Sequence, residues 1–217
     1  VWKDHKDKIR TLLKNPVSIS AYCLLFAMFS ISWLPLQKHT TDLETGYSFP
    51  ATTNNKNEET ASLYDMLDLQ EKGLSMQAFE YAYRGYRHLL ETKIISKEDY
   101  LTICDFSQSS KKKRLYLVDM VNNKVILNTY VAHGRNSGGE YATRFSNRSK
   151  SLQSSLGFYV TQNTYYGEHG LSLRVSGSEK GYNDKALPRN IVIHGADYIG
   201  DKRLRRSNYM GRSYGCP

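Results

Sequence analysis

The sequence predicts a mostly β domain with an N-terminal helical lead-in. Three observations carry that prediction. Near residue 103 the spacing of apolar residues shifts from the helical repeat of about 3.6 to the strand repeat of about two. Beyond that point, short apolar runs alternate with Gly, Ser and Asn, the residues that end strands and make turns. Before it, one aromatic and aliphatic stripe recurs at helical spacing.

The stripe consists of Phe79, Ala82, Tyr83, Tyr86, Leu89 and Leu90. These positions fall on one face of a helix that must be buried against a core. Ser75 is placed to cap its start, and Leu74 to pack on Phe79 as a hydrophobic staple. A second, short helix is expected from Ser96, with Asp99 in the capping-box position. Together these make a helical lead-in over residues 61–105. The β domain follows over residues 106–217. Its first two strands lie in "RLYLVDMVNNKVILNTYVA", joined at Asn122-Asn123, because asparagine accepts the positive φ of a tight hairpin. "LGFYVTQNTY", "LSLRVSG" and "RNIVIHG" supply three more. The chain has 17 tyrosines. They are expected half-buried, with their hydroxyls in water.

The N-terminal part reads differently. Residues 17–36, "VSISAYCLLFAMFSISWLPL", carry no charge. A helix of that length spans about 30 Å, the hydrocarbon thickness of a bilayer. Basic residues dominate before it, which leaves the amino end inside and exports the remainder. Residues 1–37 are therefore expected to be a basic N-terminus plus a transmembrane anchor or signal segment. An uncleaved or slowly cleaved anchor is preferred over a cleaved signal, although Ser30 and Ser32 make a small-x-small pattern. The chain starts at Val1, so residues upstream are expected. Residues 38–60 are polar and are expected to form a linker. Net charge is +9. In an exported domain that charge suits an anionic envelope polymer and argues against nucleic acid.

Two stretches carry the chemistry. "NIVIHGAD" ends an apolar strand at His194, followed by Gly195, and "GRSYGCP" places Cys216 in a tight turn. A free thiol has a pKa of about 8.5 and is only partly ionised at neutral pH. An imidazole within reach removes that limit, by taking the proton or by holding a thiolate–imidazolium pair. Gly195 and Gly215 allow close approach, and the backbone N–H groups of Tyr214, Gly215 and Cys216 suit a developing oxyanion. One alternative stands beside this: Cys104 and Cys216 are the two cysteines of the exported part and are available for a disulfide.

"HGADY…GRSYGCP" resembles the signature of the YkuD-type L,D-transpeptidases: a strand-end His-Gly, a loop, then Ser-His-Gly-Cys. The stretch "VAHGRNSGGEYATRFSNRSKSLQSSLGFYVTQNTYYGEHGLSLRVSG" is similar to the branch described as the murein L,D-transpeptidase catalytic domain family. The likeness covers roughly residues 74–217. It implies an L,D-transpeptidase-like β catalytic domain without metal or organic cofactor, acting on peptidoglycan stem peptides. Cys216 would attack the carbonyl between an L- and a D-centre. His194 would be the base, and the Gly195 carbonyl would orient its ring. The acyl-enzyme would pass to an amine, giving a crosslink, or to water, giving a carboxypeptidase. Tyr214 departs from the pattern, since many relatives have histidine there. The family's chain also continues past Cys-Pro, which implies a domain truncated at its C-terminus.

Other candidates are weaker. Arg212 and Arg144 are candidate substrate contacts, because a guanidinium holds a carboxylate with two parallel hydrogen bonds, and a solvated surface charge is the alternative for each. Ser155 and Gly157 are further candidates for substrate binding, Ser213 for substrate binding or a hydrogen bond within the turn, and His133 for lining the cleft or as a satisfied loop histidine. His169 is expected to be structural. His133, His169 and His194 match no common zinc spacing, so no metal is expected. The basic runs at 111–114 and 201–206 are expected to be solvated. A non-catalytic wall-binding relative is the competing functional class.

Overall fold

The computed structural model describes residues 52–207, 209–210 and 213–217, with side chains from residue 57 onward. The expected membrane segment, most of the expected linker and Arg212 lie outside the described residues. The described chain folds as two helices, two three-stranded antiparallel sheets and a short third helix. It is the mostly β architecture with a helical lead-in.

Helix α1 spans Thr52–Met66 and α2 spans Met76–Glu91. Ser75 caps α2, its side chain accepting from the Ala78 N–H at 3.2 Å. The buried face is Phe79, Tyr83, Tyr86 and Leu89, with Ala82 and Leu90 packed at its margin. Leu74 and Phe79 are both buried in the same cluster. α1 extends into the segment whose polarity suggests a linker. Packing decides the difference: Leu63, Tyr64 and Leu67 belong to the core, and the Glu59 carboxylate accepts from the Tyr83 hydroxyl at 2.8 Å. Tertiary contacts of this kind override weak local propensity.

The first sheet contains β1 (Tyr100–Cys104), β2 (Leu115–Asp119) and β3 (Lys124–Thr129), in that order. The expected helix at Ser96 does not form. The chain enters β1 instead, and Tyr100 pairs with Asp119. The run Tyr-Leu-Thr-Ile has the aromatic and β-branched content that suits a pleated surface. The β2–β3 turn is held by Asp119, whose Oδ1 accepts from the N–H groups of Val121 (3.1 Å) and Asn122 (2.9 Å). Asn123 takes φ +48°. Ile103, Tyr116 and Val118 face the two helices and complete the first core.

The tyrosine hydroxyls of that core do not point to water. Tyr64 donates to the Leu74 carbonyl (2.6 Å), Tyr86 to Glu98 (2.8 Å) and Tyr116 to Lys72 (3.0 Å). Each ring supplies apolar area while its hydroxyl satisfies a loop carbonyl that would otherwise be lost to solvent. Burial raises the pKa of all three phenols.

The second sheet contains β4 (Tyr159–Gly167), β5 (Gly170–Gly177) and β6 (Val192–His194). β4 and β5 form a hairpin whose tip is Glu168-His169. Among the described residues β6 pairs only with β5, matching Ser172 to His194 and Arg174 to Val192. Its other edge is open to the C-terminal segment. Val175, Ala186 and Ile191 form the small core behind this sheet, with Tyr159, Ile193 and Cys216 packed on it. Helix α3 spans Asp201–Ser207, between β6 and the C-terminal turn. Among the described residues, no helix is long and apolar enough to cross a membrane.

Candidate active site

His194 is the last residue of β6. Its Nδ1 lies 2.8 Å from the Gly195 carbonyl oxygen. A carbonyl only accepts, so Nδ1 carries a proton, and in the neutral ring the lone pair is on Nε2. One face of the ring is covered by His169, brought from the β4–β5 tip, with centroids 4.4 Å and planes 14° apart.

Cys216 reaches the open edge of the same strand. Its Sγ lies 3.8 Å from the Asn190 carbonyl oxygen, and the side chain packs on the Val175–Ile191 core. Burial pushes the thiol above its ordinary value, opposed by the Val192 N–H and the Arg189 guanidinium. No hydrogen bond joins the sulfur to the His194 ring. Two residues of extended chain separate Val192 from His194, roughly 6.6 Å along one strand.

The turn that carries Cys216 is pinned on three sides. Ser213 pairs with Gly134 in a parallel bridge, accepting from Arg135 N–H at 2.8 Å and donating to the His133 carbonyl at 3.2 Å. The Ser154 hydroxyl accepts from Gly134 N–H at 3.0 Å and donates to the Gly215 carbonyl at 3.1 Å. Gly215 has φ +126°, and a Cβ there would meet the Gln153 carbonyl oxygen at 2.9 Å and Ile191 at 3.1 Å. Only glycine fits both the conformation and the space. The Gly215 N–H is taken by Ser213 Oγ at 3.2 Å. The N–H groups of Tyr214 and Cys216 are bonded to no other described residue.

Arg189 is the main residue that sequence reasoning missed. Its guanidinium donates to the carbonyls of Ser146 (2.9 Å) and Gln153 (2.6 Å) and to the hydroxyls of Ser155 (3.1 Å) and Ser151 (3.3 Å). One half-buried cation thus gathers the 146–155 loop beneath the cysteine turn. Burial lowers the pKa of Arg189, and the Cys216 sulfur raises it in part. Its sequence signal is faint: an arginine just before the last apolar strand.

Several expected substrate contacts are spent inside the domain. His133 is fully buried. Its Nδ1 accepts from Arg114 at 2.7 Å and its Nε2 lies 3.3 Å from the Gly138 carbonyl. Burial, then Arg114, lowers its pKa, so it is a neutral core histidine and not part of a cleft wall. Ser155 is buried and bonded to Arg189 and to the Tyr159 hydroxyl at 2.9 Å. Gly157 has φ +117° and lies against the Glu179 carboxylate, which accepts from Phe158 N–H at 2.7 Å. Ser213 is buried and occupied within the turn. Arg144 is exposed, and its side chain bonds to no other described residue. The run at 111–114 is not wholly solvated either: Lys111 pairs with Glu140 at 2.8 Å, and Arg114 is fully buried over the Phe106 ring. Tyr214 is 70% exposed, with the Arg135 guanidinium 6.0 Å from its ring.

Cys104 and Cys216 are both free thiols. Among the described residues, no three His, Cys, Asp or Glu side chains converge as metal ligands.

The fold and these residues define a β domain with a cysteine turn set against a histidine-ended edge strand. A family model described as the L,D-transpeptidase catalytic domain matches residues 70–217. The chain belongs to that family, which acts on peptidoglycan. No curated protein and no solved structure gives a match.

Proposed function

We propose that this protein is a cysteine L,D-transpeptidase of the cell envelope, with Cys216 as nucleophile and His194 as base. The observation that carries the reading is β6 itself. The segment entering it holds the Cys216 sulfur at the Asn190 carbonyl, and the strand ends two residues past Val192 in an imidazole whose Nδ1 lies on the Gly195 carbonyl. Export of the domain and tethering through residues 17–36 belong to the same proposal.

The raised thiol pKa favours one of two modes of activation. A resting thiolate–imidazolium pair needs a depressed thiol. Burial acts the other way here, so His194 takes the proton as attack occurs. The thiol rotates from Asn190 toward the strand end. Its proton passes to His194 Nε2, and the sulfur bonds to the peptide carbonyl carbon. The oxyanion meets the N–H groups of Tyr214 and Cys216. The C–N bond then breaks, His194 returns the proton to the departing nitrogen, and a thioester remains. An amine of a second stem attacks the thioester and yields the crosslink; water in its place yields a carboxypeptidase. Tyr214, exposed at the mouth, offers a hydroxyl but no second imidazole.

The test is incubation of the exported domain with a stem tetrapeptide, with and without an acceptor amine, followed by mass spectrometry. Transfer product with the amine supports transpeptidation. Terminal residue released into water alone supports hydrolysis, and unchanged stems with a reactive thiol favour the wall-binding class.

A further inference from the structure

A cleft of about 410 Å³ opens between the β4–β5 tip and the segment entering β6. That volume suits a small ligand. Asn190, Ile191 and Val192 form one wall, so the cleft and the Cys216 sulfur share the same stretch of chain. His169 lines it too, and His169 covers His194. The cleft therefore adjoins the Cys216 sulfur through Asn190 and the His194 ring through His169.

Its lining carries one cation, Arg174, and one carboxylate, Glu168 of the β4–β5 tip. The Arg174 guanidinium lies over the Tyr165 ring, 4.0 Å from the centroid. Stacking fixes the plane of an arginine and leaves its N–H edges free to bind in that plane. Among the described residues, Arg174 makes no ion pair and its side chain makes no hydrogen bond, although Lys111 and Arg87 elsewhere find carboxylates. Arg174 faces Val192 across the sheet, and Ser172 faces His194. Arg174 and His194 thus occupy diagonal positions on one face, whose backbones lie roughly 7–8 Å apart.

We infer that this cleft binds the departing C-terminal residue of the donor peptide, with Arg174 holding its α-carboxylate. The inference rests on the transpeptidase reading for its chemistry, not for its binding. In a terminal amino acid the carboxylate and the scissile nitrogen flank one carbon. A carboxylate on Arg174 therefore brings that nitrogen toward His194, which must protonate it. Leu187 supplies apolar wall for a short side chain. The site accordingly favours a single terminal residue over a peptide that continues.

The experiment uses the full chain with Cys216→Ala. Calorimetry compares a stem tetrapeptide ending in D-alanine with its C-terminal amide. The acid binds at least about tenfold tighter, as a bidentate guanidinium pair allows. Arg174→Gln abolishes the preference and Arg174→Lys restores part of it. With Cys216 present, Arg174→Gln raises KM for the acid more than it lowers kcat, while iodoacetamide modifies Cys216 at the unaltered rate. Equal binding of acid and amide, or a preference that survives Arg174→Gln, overturns the inference. Turnover without the preference removes the subsite and leaves the transpeptidase reading. The preference without turnover does the reverse.

Discussion

His169 and His194 lie face to face, with ring centroids 4.4 Å and planes 14° apart. One comes from a hairpin tip and the other from an edge strand, so the contact is made by the fold alone. It covers one face of the proposed base while the Gly195 carbonyl holds its Nδ1. Aromatic pairs of this kind contribute about 0.5–1.5 kcal/mol. His169→Ala is therefore expected to lower kcat by up to about tenfold. His169→Phe, which keeps a flat ring, recovers most of the loss. Steady-state kinetics on a stem tetrapeptide decide it, and unchanged kcat in both variants rules out a positioning role.

The Cys216 thiol is held above its ordinary range by burial. Without a base it ionises only at higher pH than a free cysteine. In His194→Ala, iodoacetamide modification of Cys216 should follow a pH curve displaced upward from that of a free thiol. At pH 7 it should run about 10²-fold or more below wild type, the usual scale of general-base assistance. Peptide mapping keeps Cys104 out of the rate. Equal rates at pH 7 with and without His194 contradict base assistance.

Gly215 is the point where the turn admits no side chain. A Cβ would press on the Gln153 carbonyl oxygen at 2.9 Å, in a conformation with φ +126°. Gly215→Ala is expected to destabilise the domain by about 1–3 kcal/mol and to abolish turnover. Urea unfolding reads the first effect and peptide cleavage the second. A variant of full stability and activity contradicts the geometry of the turn.

Burial pushes the Cys104 thiol up to about 12, with Arg114 pulling it down and Asp105 adding to the rise. Below pH 9 both folded and unfolded chains keep this proton, and the contribution to stability is complete. Between about 9 and 12 the unfolded chain releases it and the folded chain does not. Stability then falls with rising pH by up to about 1.4 kcal/mol per unit from this group. Buried tyrosines add to the alkaline loss, so the comparison is with Cys104→Ala. Urea titrations from pH 8 to 11 should show a shallower decline in that variant. Parallel declines contradict the assignment.

The elements with a self-contained pattern were legible in the sequence. The α2 stripe, its Ser75 cap, the Asn123 turn and the β5 and β6 runs each state their own conformation within a dozen residues. So does the tight bend around Cys216. What local pattern could not reveal was contact made over distance. α1 gains its polar first turns because Glu59 meets Tyr83. The residues after Ser96 pair with β2 rather than coil. His133 looks like a cleft residue until Arg114, from the run "KKKR", buries itself against it. Arg189 and His169 carry no motif; one becomes important by bonding four groups of a distant loop, the other by stacking on a ring twenty-five residues away.

The central claim is that Cys216 forms a thioester with a peptidoglycan stem. Intact-mass spectrometry of the full chain, quenched in acid during reaction with a stem tetrapeptide, measures it. The account predicts an added tripeptide acyl group mapped to Cys216, absent in Cys216→Ser and greatly reduced in His194→Ala. An unmodified chain and intact stems, under conditions where iodoacetamide still labels Cys216, would contradict it.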